Sequence, residues 1–348
     1  MDVIAEKPPV PSPNLVGIAR MAASSPKVRE RAEVEYFALQ SRSILNRESS
    51  GRMPFAWTIN PYRGCEFGCK YCYARYTHEF MEIHDGLDFE RKIYAKANAP
   101  ELLRNELRKA RDKGLPIALG TATDPYQPAE KQFEITRRML EIIAEFEGLD
   151  FSITTKGVLI LRDLDLLKGI SDKHRFGVHM TVTTTNDSLA RLLEPKAAPP
   201  SKRLEAVATL AAAGIHVEVN AMPILPGLTD TREGLEELAR LAKQAGAKRL
   251  NGNVLFLEPS AMKQFMPFFE RAFPSLVKRY RQLYARSAYL EGEYKDQMTK
   301  LMAELRLRHG FEERGREPAQ VALQPQMELP FSAAAERTAL LTPCGEVS

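Results

Sequence analysis

Cys65, Cys69 and Cys72 fall within eight residues of the run NPYRGCEFGCKYCYAR, spaced C-x3-C-x2-C. Three thiolates are one ligand short of the four that a closed tetrahedral metal site needs. Two kinds of chemistry fit that count. In one, the thiolates bind three irons of a cubane iron-sulfur cluster and leave the fourth iron open to a small molecule. In the other, a histidine such as His78 or His84 completes a Cys3His zinc site. The cubane is favoured, because structural zinc sites usually pair a C-x2-C with a second, distant ligand pair. A disulfide role fits less well: the one further cysteine is Cys344, near the C-terminus, and clustered thiols suit a reducing compartment.

A loop of this kind must be held at the end of rigid elements, and the chain supplies a regular series of them. Short β-rich runs at 56–60 (AWTIN), 116–121 (PIALGT), 150–155 (DFSITT), 176–183 (FGVHMTVT), 216–223 (HVEVNAMP) and 249–257 (RLNGNVLFL) alternate with helical periods. The latter include ELLRNELRKARDK, AEKQFEITRRMLEIIAEF, LRDLDLLKG, DSLARLLE, SKRLEAVATLAAAG and TREGLEELARLAKQAG, and several end in Gly, a common helix stop. The alternation predicts an α/β fold whose parallel strands form a partial (β/α)6 TIM-like barrel over 51–260, with a C-terminal helical extension over 261–316. The cysteine loop follows the first strand, at the end of the sheet where chemistry sits in such folds.

Residues 1–50, rich in Pro, Ser, Arg and Glu, are expected to form a flexible N-terminal extension with one helix around 27–39. Two helical stretches are expected within 262–310, and residues 317–348 read as a disordered tail. At 348 residues with 44% hydrophobic content the chain can bury a sizeable core. Its net charge of +4 is a mild basic bias that permits nucleic-acid contact without requiring it. The sequence has no apolar run of membrane-spanning length and no signal-peptide pattern at MDVIAEKPPVPSPN, so the expectation is a cytoplasmic protein without a membrane partner.

The stretch RMPFAWTINPYRGCEFGCKYCYARYTHEF, followed by GTATDPYQPAEKQ, ITTKGVLILRDLDLL, VTTTNDSLARLLEP and PILPGLTD, resembles the spore photoproduct lyase-like branch of the radical S-adenosylmethionine (SAM) proteins. More narrowly it is similar to a bacterial subgroup of DNA repair photolyase-like proteins, over about residues 40–310. The resemblance implies a 4Fe-4S cluster on Cys65, Cys69 and Cys72 whose open iron chelates SAM. It implies that an external one-electron donor drives cleavage of SAM to methionine and a 5'-deoxyadenosyl radical, which abstracts hydrogen from substrate. In this picture the protein binds, orients and shields while the cofactor performs the hard step.

The same resemblance implies site residues. Lys156 matches a lysine that meets the SAM carboxylate in lyase-like relatives, unless it is a solvated strand-end lysine. Thr121, Thr123 and Asp124 stand where the superfamily often has a Gly-Gly-Glu segment that accepts from the SAM ammonium; this chain has GTATD, and an Asp before Pro is also an ordinary turn starter. Thr181, Thr183 and Thr185 close the fourth strand and face the ribose or simply pack. Glu194 is a second ribose or carboxylate contact, or one half of a helix-end ion pair with Arg203. Ile224, Leu225 and Gly227 resemble the adenine-side segment, and Asp230 reads as the cap of the next helix. Tyr71 and Tyr73 flank Cys72 at positions implicated in hydrogen return in the lyase; shielding is favoured for Tyr71, which leaves Tyr73 as the catalytic candidate. The lyase's hydrogen-donor cysteine has no counterpart, since every cysteine of the barrel belongs to the cluster motif.

Residues 271–316 carry 11 Lys or Arg against 6 Asp or Glu, with Tyr280, Tyr284, Tyr289 and Tyr294 interleaved. That suits a nucleic-acid surface, DNA in the favoured reading, or an amphipathic cap with its rings turned inward. The tail run Gln326-Met327-Glu328-Leu329-Pro330-Phe331 resembles peptides that dock bacterial repair proteins on the sliding clamp. The expected function is thus radical SAM chemistry on nucleic acid in a DNA repair-like, lyase-like role. Modification of RNA or protein by the same radical is the alternative within that chemistry, and a zinc-dependent nucleic-acid binding module without catalysis is the alternative outside it.

Overall fold

The structure is a computed structural model that describes residues 11–48, 53–111 and 114–313. Two sheets share the described residues. Strands β1 (Lys27–Arg31), β2 (Val34–Leu39), β3 (Leu45–Arg47), β4 (Trp57–Ile59), β5 (Tyr62–Arg63), β6 (Lys92–Lys96), β7 (Ile117–Leu119), β8 (Asp150–Thr155), β9 (Arg175–Thr181), β10 (Val217–Ile224) and β11 (Arg249–Val254) follow in chain order. The larger sheet runs β11-β10-β9-β8-β7-β4-β3 and the smaller β1-β2-β6-β5.

The six strands expected from the sequence are β4, β7, β8, β9, β10 and β11. Each is parallel to its neighbour, and their spatial order is their chain order. The result is a mixed α/β fold in which the sheet stays open, with β11 at one edge and the short antiparallel β3 at the other. One face of these strands is apolar: Ile59, Leu119, Ile153, Val178, Met180, Val217 and Val219 are buried. The other face carries Thr154, His179, Glu218 and Arg249 in one cross-strand row and Thr181, Asn220 and Asn251 in the next. A closed barrel fills that face with branched apolar side chains; here it is polar and partly open.

The helix expected at 27–39 is instead the β1–β2 hairpin, turned at Ala32 with φ 52°. Val34 and Tyr36 alternate inward on a strand, and the partner that stabilises them is β6, parallel to β2 and over fifty residues downstream. Within the described part of 1–50, β1 and β2 are built into the smaller sheet and β3 into the larger, contrary to the flexible extension expected there. Beyond β11 the described residues form three α-helices, Pro259–Ala272, Val277–Leu283 and Glu293–Arg308, where two stretches were expected. Phe265, Phe269, Tyr280, Met302 and Leu305 join the same core as the sheet. The tail 317–348, with Gln326 to Phe331 and Cys344, lies outside the described residues. No described helix is long and apolar enough to cross a membrane.

Candidate active site

The cysteine loop leaves β5 at Gly64 and ends in a 3-10 turn at Tyr73–Arg75. Its backbone is tied to three other parts of the chain and to its own terminal turn. Cys65 N donates to the Phe89 carbonyl at 2.9 Å, and Lys70 N donates to the Leu193 carbonyl at 2.9 Å. The Gly64 carbonyl accepts from Thr123 Oγ1 at 2.6 Å and from Gln127 Nε2 at 3.1 Å. Glu66 N donates to Gln127 Oε1 at 2.9 Å, and Arg75 Nη2 donates to the Cys69 carbonyl at 3.0 Å. Gly64 and Gly68 both have positive φ; a Cβ on Gly64 would lie 2.8 Å from the Lys92 and Phe89 carbonyl oxygens, and one on Gly68 2.6 Å from Glu90 Oε2.

Cys65 and Cys69 are buried and Cys72 is partly exposed, all as free thiols. Burial pushes both buried thiols up, Cys69 to about 12. A donor set of this kind is held as thiolates by a bound metal rather than by its surroundings. No three His, Cys, Asp or Glu side chains among the described residues converge as a single metal ion would need. The two histidines that a zinc site would recruit are placed otherwise. His78 Nε2 meets the Lys92 carbonyl at 3.0 Å and burial pushes the ring down to about 4, while His84 lies exposed beside Glu82. The three-thiol set thus fits a multi-iron cluster better than one zinc ion.

Lys156 follows β8 at the same end of the sheet. Its Nζ lies 5.7 Å from the Tyr71 ring centre and, among the described residues, has no hydrogen-bond acceptor. Burial opposes its charge, but Cys69 and Glu194 outweigh that and raise its pKa. An unmatched ammonium beside the cysteine loop fits a carboxylate-bearing cofactor.

Glu194 and Thr183 are brought together, though not at an open surface. The Tyr71 phenol donates to Glu194 Oε1, and Thr183 Oγ1 lies 2.7 Å from that oxygen and 3.1 Å from the Met222 carbonyl. Arg203 Nη2 pairs with Glu194 Oε2 at 2.5 Å, while its Nη1 donates to the Thr181 carbonyl at 3.1 Å. Burial works against ionisation of Glu194, yet Arg203 and Lys156 hold its carboxyl below the usual range. The helix-end ion pair is therefore present, as part of a network that reaches the middle of the cysteine motif.

Asp124 is likewise engaged. It accepts from Thr155 Oγ1 at 2.6 Å, Tyr126 N at 2.9 Å and Lys156 N at 2.8 Å, which locks the end of β7 to the end of β8. Ile224 and Leu225 are buried at the end of β10. Asp230 is not the helix cap expected: Thr231 accepts from Gly234 N, and Asp230 takes the Tyr294 phenol at 2.9 Å. Tyr73 is 36% exposed, so it borders solvent one residue from Cys72. Its phenol donates to the Thr121 carbonyl, and its ring lies 5.2 Å from Phe256, which stacks on Tyr289 at 5.2 Å and 10°.

The four tyrosines expected to mark a surface in 271–316 divide: two turn inward, Tyr294 is partly exposed and Tyr289 is 42% exposed. Tyr280 and Tyr284 are buried, Arg281 pairs with Glu270 at 2.6 Å and Arg308 with Glu236 at 2.7 Å. Sequence reasoning missed Gln127, Glu66, Tyr36 and Arg75. Gln127 is completely buried, and the Tyr36 phenol donates to Glu66 at 2.9 Å behind the loop. Gln127 and Glu66 have one local signal, polar residues beside Pro or Gly without periodicity; Tyr36 and Arg75 lack even that.

Comparison with known proteins agrees with this geometry. A family model described as the Radical SAM superfamily matches residues 59–242. A protein of Mycobacterium tuberculosis is 34% identical over 299 residues, 85% of this chain and 88% of that one. One of Methanocaldococcus jannaschii is 28% identical over 244 residues, 70% and 85% of the two chains. Among solved structures, spore photoproduct lyase complexed with dinucleoside spore photoproduct superposes with a TM-score of 0.59 at 15% identity, covering 86% of this chain and 84% of that one. A second structure of the lyase carries bound AdoMet and the same dinucleoside; it matches with a TM-score of 0.59 at 16% identity over 78% of each chain.

Proposed function

The chain belongs to the radical SAM superfamily, and we propose that this enzyme turns the radical chemistry of that family on nucleic acid. Family members use a 4Fe-4S cluster and SAM. With both bound, one electron cleaves SAM to methionine and a 5'-deoxyadenosyl radical that takes hydrogen from substrate. Everything else falls to the chain. Cys65, Cys69 and Cys72 hold three irons, and Lys156 receives the SAM carboxylate. The Tyr71–Glu194–Arg203 network fixes the floor beneath them. We read the open sheet as a six-unit partial barrel, with Ile224 and Leu225 as the apolar border of the adenine side.

The observation that carries the substrate reading is the aromatic series Tyr73, Phe256 and Tyr289, which starts one residue from Cys72. Rings next to the reacting centre suit a flat base, because every nucleobase offers a face to stack. The lyase of similar fold binds a dinucleoside, which supports the same class. Tyr73 is the hydrogen-return candidate. Among the described residues no cysteine lies outside the cluster motif, so a cysteine cannot take that role there.

The deciding experiment is anaerobic reconstitution with iron and sulfide, followed by dithionite and SAM. 5'-Deoxyadenosine is measured with and without single-stranded and double-stranded oligonucleotides, in wild type and Cys69→Ala. The reading expects product in wild type alone and deuterium transfer from a labelled oligonucleotide into 5'-deoxyadenosine. Product without transfer from DNA or RNA would remove nucleic acid as substrate.

A further inference from the structure

Arg63 and Lys96 share one face of the smaller sheet. Arg63 stands opposite Tyr94 across β5 and β6, and Lys96 lies two residues beyond Tyr94, so the three side chains point the same way. Arg63 is partly exposed, and Lys96 is 5% exposed. Among the described residues neither has a carboxylate within ion-pair distance. Arg63 makes one bond, Nη1 to the Thr77 carbonyl at 3.4 Å, and its Nε is buried without an acceptor. The Lys96 ammonium has no acceptor among the described residues.

Two nearby carboxylates are engaged elsewhere, while Glu48 and Glu258 act on Tyr76 rather than on the two cations. Glu106 accepts from Leu45 N at 2.7 Å and Ile44 N at 3.1 Å, and Asp88 pairs with Lys92 at 2.8 Å. His78, with its ring 6.0 Å from that of Tyr94, is held neutral by burial. Burial, with Arg63 adding to it, pushes Lys96 down to about 7, as expected of a cation that lacks its counter-charge. A buried ammonium beside a half-buried guanidinium, with no carboxylate on either among the described residues, is an unusual expense for a fold unless an anion completes them. Beside them, Tyr76 is 36% and Phe80 62% exposed, in edge contact at 5.5 Å.

We propose that Arg63 and Lys96 form a phosphate-binding site beside the cysteine loop, with Tyr76 and Phe80 as the ring surface next to it. The phosphate is that of a nucleic-acid strand if the function proposed above holds, on which this source rests; free inorganic phosphate presents the same chemistry. An arginine fork and an ammonium are the pair that phosphate oxygens call for.

The test uses the cluster-loaded full chain, with Lys96→Met and Lys96→Gln as variants. A labelled single-stranded oligonucleotide is titrated at several salt concentrations. Melting temperature is recorded in inorganic phosphate and in chloride of equal ionic strength. The site predicts that oligonucleotide affinity falls about tenfold or more in both variants. The slope of log K against log salt becomes shallower by about 0.7 for the lost contact. Stabilisation by phosphate over chloride disappears, while phosphate-free Lys96→Met melts higher than wild type. Wild-type affinity and slope in both variants, with lower melting temperatures, would overturn the site and leave the nucleic-acid reading standing. Phosphate stabilisation of wild type without oligonucleotide affinity would keep the site and reject that reading.

Discussion

Glu194 and Arg203 meet at 2.5 Å with side-chain exposures of 0% and 1%. Such a pair contributes little net stability while intact, because desolvation offsets the attraction. Removing one partner strands the other. Arg203→Met is expected to cost about 3–5 kcal/mol in denaturant unfolding. Replacing both by apolar residues of similar volume should restore much of that loss, and a double-mutant cycle measures the difference.

Gly68 separates Glu66 and Phe67 from Cys69 in a left-handed conformation, φ 65°. Gly68→Ala is expected to cost about 1–3 kcal/mol, from strain at that φ together with the approach to Glu90. Iron per chain after reconstitution should fall with it. Gly169→Ala, in helix Leu164–Lys173 where a Cβ meets nothing, should leave iron content unchanged and raise stability by a few tenths of a kcal/mol.

Lys156→Met removes the ammonium beside Cys69 and leaves the three thiols in place. The KM for SAM in 5'-deoxyadenosine formation should rise about tenfold or more, the effect of losing one charge-assisted contact. The iron content and visible spectrum of the reconstituted protein should remain those of wild type. A parallel loss of iron would mean that Lys156 supports the loop rather than the cofactor's carboxylate.

Glu218 governs an acid limb of stability. Burial opposes its charge, but the hydrogen bond with His216, His179 nearby, Asn251 at 2.8 Å and Arg249 at 3.1 Å hold its pKa down to about 2. The folded value is below the unfolded one, so this stabilisation is present above about pH 4.5 and lost as pH falls toward 2. A depression of this size corresponds to about 3 kcal/mol. Glu218→Gln should lower stability near neutrality and flatten the dependence between those limits, read by urea unfolding across pH.

The parallel strands were legible because each is a short β-rich run and helical periods separate it from the next. The hairpin of β1 and β2 was not, since its partner β6 lies far down the chain and local periodicity cannot report it. The cysteine motif was legible because its chemistry is entirely local. Gln127 was not: its contacts with Gly64 and Glu66 span some sixty residues, and complete burial of an amide leaves no mark on composition. Asp124 was legible by type and place, but the bonds by which its oxygens hold two strand ends together, to Thr155 and Lys156 some thirty residues on, were not.

The cysteine loop takes its shape from the Phe89, Leu193, Gln127, Thr123 and Arg75 contacts, none of which involves a metal ligand's sulfur. The loop's backbone is therefore held by the rest of the polypeptide and not by its sulfurs. The apoprotein should be a folded receptor, in contrast to small zinc domains that collapse without their ion. Oxygen damage at the cluster would then empty the site without unravelling the chain, and the same molecules could be charged again when iron and sulfide return.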